Sequence, residues 1–226
     1  MIFYRSGSNL HGRFKAMRWV LLCLSLLVTA FPSNAGAQAF CALRDPHTAI
    51  GQLFPEATTH RSMVRRLGPG EQTELRRRFS EDLPNYEFGE HTVYAVFRDN
   101  EPLGVVHVRS EKGTWGLLEI AWALDLDLRL RAFRLQRGYE AGARDLLAGP
   151  FPDRVAGLGL EQLSREKALG LNSTLLVDLP EEQKVFAATL LQAAPRAIAA
   201  TRVGWQSDLA ELRALAQSNA GQGDSG

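Results

Sequence analysis

The chain has 226 residues, of which 26 are basic, 25 acidic and 45% hydrophobic. All four basic residues of segment 1–39 fall in its first half, and that segment holds no acid; the rest carries 22 basic against 25 acidic residues, a net charge of −3. Such a balance is ordinary for a soluble domain and argues against nucleic acid as the partner. Of the two cysteines only Cys41 lies beyond residue 39, so that part can form no internal disulfide, and no C-x-x-C-H run signals a c-type haem.

In chain order, residues 1–39 read as a secretory signal peptide. Arg5, Arg13, Lys15 and Arg18 precede the apolar run "WVLLCLSLLVTA", and small residues ending in Ala37-Gln38-Ala39 follow. No Arg-Arg pair precedes the run, which favours the general secretion route and a periplasmic product. Met17 is an alternative start. Cleavage after Ala39 would leave 187 residues, enough for one domain with a real core. That domain is expected over 40–205, with a polar, flexible tail over 206–226.

"DPHTAIGQLFP" (45–55) predicts a short helix stopped by Pro55, and "TTHRSMVRRL" (58–67) a strand. A charged helix is expected from Glu71 to Ser80; its Arg76-Arg77-Arg78 run is either an anion patch or a solvated face, and the solvated face is the commoner case. From residue 91 the period falls to two. "HTVYAVFRD" (91–99) and "LGVVHVRSE" (103–111) form a hairpin signal around a turn at 100–102, where Pro102 would fix φ. "KGTWG" (112–116) is the next turn, followed by strands over 117–125 and 128–136. The unbroken alternation Leu124–Arg131 leaves two options, one long strand or a hairpin with its turn at 125–129. Beyond 140 the pattern turns helical. Its best helix is 179–201, with Pro180 in the first turn and Pro195 expected to kink or end it. The fold class is α+β: an antiparallel twisted sheet of two hairpins packed with several helices, the C-terminal helix against the sheet.

No H-E-x-x-H, G-x-S-x-G, Walker loop or G-x-G-x-x-G occurs, so no catalytic cluster is signalled. His47, His60, His91 and His107 have no helical ligand spacing, and no metal is expected. His91 and His107 fall on neighbouring strands and would face each other as a structural pair. Trp115, Trp122, Tyr139 and Trp205 are either core or the stacking wall of a flavin pocket.

The segment "HTVYAVFRDNEPLGVVHVRSEKGTWGLLEIAWALDLDLRLRAFRLQRGYEAG" resembles the FMN-binding domain found in the G subunit of Rnf electron-transport complexes. Related domains occur in the C subunit of the sodium-pumping quinone reductase and in a nitrous-oxide regulator. "LEIAWALDLDLRLRAFRL" matches the family's pair of strands around "G-I-D-x-D-G", although Leu128 stands where the family has glycine. "RGYEAG" lies where the family has "E-T-P-G-L-G", and "AIGQLFPEA" resembles its opening. The resemblance covers roughly residues 45–201 and implies an exported, FMN-binding-like domain associated with electron transfer. It makes FMN the possible cofactor, with Arg109, Trp115, Tyr139, Ser173 and Thr174 as cofactor-binding candidates; Arg134 and Arg137 are further possible phosphate donors. The family attaches FMN through a Thr in an S-G-A-T-like motif. Here the region reads "LNSTLLVDLPEEQ", so covalent attachment is not expected. The alternative is a cofactor-free binding or assembly module for a membrane or periplasmic redox complex. In either case the partner is a protein, and membrane contact runs only through it or through an uncleaved leader.

Overall fold

A computed structural model describes residues 46–79, 83 and 88–223. The expected signal peptide, Cys41 and the last three residues lie outside them. The described residues belong to one compact unit, Ala37–Gly226.

The chain opens with helix α1 (His47–Leu53), strand β1 (Thr59–Arg66) and helix α2 (Pro69–Phe79). Strands β2 (Glu90–Arg98), β3 (Glu101–Lys112), β4 (Leu117–Leu124) and β5 (Leu130–Arg137) follow. Each strand pairs antiparallel with its chain neighbour, giving a five-stranded meander in the order β1-β2-β3-β4-β5. Then come α3 (Ala143–Ala148), α4 (Phe151–Val155), α5 (Leu160–Leu169), two 3-10 turns, α6 (Glu181–Gly204) and α7 (Gln206–Gly223). This is the α+β class that the sequence implies.

Alternation sorts the sheet into two buried faces. One carries Val93, Ala95, Val105, Ile120, Trp122 and Phe133, which join the main core with α6 and α7. The other carries Val96, Val106, Val108, Ala121 and Ala123, against Ile50, Leu53 and Phe54 at α1. β3 and β4 are therefore buried on both sides, which is why they read as near-continuous apolar runs. β1 and β5 bound the sheet. Their exposed positions are rich in arginine: Arg61 and Arg66 on one, Arg131, Arg134 and Arg137 on the other.

The alternating run is a hairpin. Leu128 N–H donates to Asp125 O and Asp125 N–H to Arg129 O, both at 3.0 Å. The Asp125 carboxylate also accepts from the N–H groups of Asp127 (2.9 Å) and Arg129 (2.8 Å). Leu128 takes φ = 60°, the left-handed position that this three-residue loop usually gives to glycine. Its side chain is buried in the main core at 2% exposure, and that burial offsets the backbone cost.

Three expectations need correction. The β2–β3 turn is Asp99-Asn100, with Asp99 at φ = 57°, and Pro102 lies inside β3 opposite Phe97, at a register shift that tolerates its missing N–H. Pro195 does not end helix α6, because Ala193, Ala194 and Ala197 to Thr201 are all buried and packing offsets the ~3 kcal/mol of a mid-helix proline. Residues 206–223 are helix rather than flexible tail. Trp205, Leu209 and Leu212 recur on one helical face and are buried, at spacings that the polar composition around them hides.

Candidate functional site

The five residues proposed from sequence to hold a cofactor sit in three different surroundings. Arg109 is on the helix-covered face of β3, 2% exposed, with its Nε 3.7 Å from Glu111 Oε1. It is a core residue. Ser173 and Thr174 form a turn between α5 and α6 and are tied to one carboxylate. Ser173 Oγ donates to Glu166 Oε2 at 2.6 Å, Thr174 Oγ1 to Glu166 Oε1 at 3.1 Å and Thr174 N–H to Glu166 Oε2 at 3.1 Å. Ser173 Oγ in turn accepts from Leu175 N–H, capping the second 3-10 turn. Both hydroxyls are donors to an anion that would repel a phosphate arriving there.

Trp115 and Tyr139 lie on adjoining loops at one end of the sheet. Gly113 N–H donates to Gly116 O at 2.7 Å and closes the β3–β4 turn that carries Trp115. The carboxylate of Glu140, itself buried, accepts from Thr114 N–H and clamps that turn to the loop after β5. Gly142, with φ = 69°, brings this loop against the Glu182 backbone at the start of α6; a Cβ there would clash. The two aromatic side chains remain 71% and 72% exposed.

These residues do not fit FMN. The hydroxyls are engaged by Glu166, the arginine is inside the core, and the aromatics stand in solvent. A cleft of ≈ 740 Å³ between α2, the β4–β5 turn and the α6–α7 junction contains none of the five. Within it Glu74 pairs with Arg78 at 3.3 Å, and Arg213 donates to Leu126 O at 2.7 Å. Among the described residues no group of three or more His, Cys, Asp or Glu could hold a metal.

The unusual chemistry lies under α6. His91, His107, Arg109 and Glu111 are all buried on the inner face of β2 and β3, where apolar side chains would be expected. The rings of His91 and His107 meet edge to face at 5.5 Å, the cross-strand pairing that the sequence suggested. Trp205 closes the other side of His107 at 5.6 Å. His107 Nδ1 lies 2.8 Å from Thr201 Oγ1, which donates its own proton to Ala197 O at 2.8 Å. With that proton committed to Ala197 O, Nδ1 is the donor to Thr201. Burial holds its pKa well below the usual histidine range, and the neighbouring Arg109 and His91 add to that shift. Glu111 Oε2 accepts from Arg196 of α6 at 2.5 Å, so one carboxylate serves two guanidiniums. Nothing in the α6 sequence marked Arg196 and Thr201 as partners; the one available signal was the run His107-Arg109-Glu111, charged and polar at alternate positions that a buried strand should keep apolar.

The site is thus a structural polar layer inside a two-faced sheet, with an aromatic tip at the sheet's end. A scan against protein-family models finds no match, and neither does a search of the curated proteins.

Proposed function

We propose that the chain is a cofactor-free binding module, built on an FMN-binding-domain-like plan and serving a membrane or periplasmic redox complex. The observation that carries this reading is the Glu166 carboxylate holding both Ser173 and Thr174. The positions nearest to the flavin-attachment motif are used to fasten α5 to the turn before α6. Export is supported by the charge and apolar pattern of residues 1–39. The polar layer under α6 supports a structural role, since its groups bond one another across elements.

The test is the absorbance of protein purified from an exporting host, recorded with and without added FMN followed by washing. The expected result is no flavin band in either sample. A band that survives denaturation would mean covalent attachment, and one lost on denaturation a non-covalent flavoprotein; either overturns the reading.

A further inference from the structure

His107 is fully buried, and only part of its cover can move without breaking the sheet. Its ring has His91 of β2 on one side and Trp205 on the other, while Trp122 of β4 stands opposite it in the register. Nδ1 donates to Thr201 of α6. Nε2 is buried and has no hydrogen-bond partner among the described residues. A second proton would sit there, and an imidazolium needs an acceptor for each of its two N–H groups.

The charges around the ring leave no anion for that proton. β3 brings Arg109 and Glu111, α6 brings Arg196, and α7 brings Asp208; Arg65 of β1 stands opposite His91 in the register. Glu111 pairs with Arg109 and Arg196, and Asp208 pairs with Arg65 at 3.3 Å. The side chains of β4 on this face are Leu118, Ile120, Trp122 and Leu124, none of them charged. The acceptor for a proton on Nε2 must therefore be water, and water enters only when a cover moves.

Trp205 is the cover that can make way. It is the single residue between α6 and α7, at φ = −124° and ψ = 30°, outside helical geometry. Within residues 206–220 of α7 only Leu209 and Leu212 are buried. The other ties of α7 are Asp208 to Arg65, Arg213 to Leu126 O and Asn219 to Asn100 O. By contrast α6 has buried residues from Phe186 to Gly204, and β3 and β4 are buried on both faces. Elements with few buried apolar contacts are the ones that open locally.

We propose that Trp205 and helix α7 form an acid-released strap, which leaves β3 when His107 takes a second proton while α6 and the sheet stay folded. Closed, the strap keeps water from Nε2; open, it admits it. The open form takes up the proton at the ordinary histidine value of about 6.5. The closed form takes it up only well below, because of burial first and then of Arg109 and His91. Linkage favours opening about tenfold for each pH unit between the two values. Opening offers the apolar stripe Trp205, Leu209 and Leu212 to solvent or to a partner.

Hydrogen exchange of protein from an exporting host reads the elements separately. It is recorded at about pH 7.5 and about pH 5.5 and corrected for the intrinsic pH dependence of exchange. The expected result is about tenfold less protection for the amides of α7 at the lower pH, with β3 and β4 unchanged. His107→Gln should remove this difference. Asp208→Asn, which cuts the tie to Arg65, should keep it. The proposal falls if α7 and the strands lose protection by the same factor, since the proton then acts on global unfolding alone. It falls equally if α7 shows no change, if the difference survives in His107→Gln, or if it vanishes in Asp208→Asn. The comparison of α7 with β3 and β4 is made in the native chain, so it decides the matter even where His107→Gln does not fold.

Discussion

Leu128 holds a backbone conformation that costs an L-residue about 1–2 kcal/mol, yet its side chain is buried among core residues. The two substitutions that remove the side chain should therefore rank in an unusual order. Leu128→Ala loses the burial and keeps the strain; Leu128→Gly loses the burial and relieves it. We expect both to lower the urea midpoint, with the glycine variant more stable than the alanine variant by about 1 kcal/mol. The reverse order would show that the strain is not stored there. The turn itself was legible from the family pattern around Asp125 and Asp127, but its type was not. Sequence could show that leucine resists φ > 0; it could not show that a core position would hold it there. Asp99 gave even less warning, because Pro102 three residues on looked the better turn residue and is instead paired in β3.

At the scale of elements, β3 and α6 are joined by two polar contacts, Glu111 to Arg196 and His107 to Thr201. Removing the Glu111 charge takes a buried carboxylate away from Arg109 and Arg196, the two guanidiniums it pairs with. Glu111→Gln should cost about 3–5 kcal/mol of unfolding free energy, read by denaturant titration. Thr201→Val keeps the shape and removes the acceptor of the His107 Nδ1 proton, which should cost about 1–3 kcal/mol. If either variant were neutral, α6 would be held by apolar packing alone. The strands were legible because period two survives where one face is less buried than the other, as in "HTVYAVFRD". Helix α6 was legible from its leading Pro180 and acidic first turn, but its passage through Pro195 depends on burial that only the fold reveals. Helix α7 was missed because Trp205, Leu209 and Leu212 are spread through a polar segment and acquire meaning only once β3 is there to receive them.

For the whole molecule, the neutral His107 ties stability to pH. The groups around it are His91 from β2, Arg109 and Glu111 from β3, Trp122 from β4, Arg196 and Thr201 from α6, and Trp205. With one carboxylate among two guanidiniums, a proton added to the imidazole finds no free anion. The folded pKa is depressed below the unfolded value of 6.5, so between the two the unfolded chain binds the extra proton. Stability is full above about pH 6.5 and falls as pH drops toward the depressed value, by up to about 1.4 kcal/mol per pH unit. His107→Gln should flatten that slope in urea midpoints taken across this range; an unchanged slope would place the sensitivity elsewhere. The cofactor candidates fared unevenly for a related reason. Residue type pointed to Arg109, Ser173 and Thr174, but only three-dimensional neighbours show that Glu111 and Glu166 already hold them.

The arginines at the two ends of the meander bear on what many copies of this chain do together. A sheet whose strands pair only with their chain neighbours ends in two edges with backbone groups to offer, and an unguarded edge recruits another strand. Here an incoming copy of β5 would bring Arg131, Arg134 and Arg137 against the same three residues, and β1 would bring Arg61 and Arg66 against theirs. Crowding therefore should not drive these molecules into ribbons, and a concentrated preparation should keep constant light scattering. Replacing Arg61 and Arg134 with threonine, which favours strands and carries no charge, should turn the same preparation turbid.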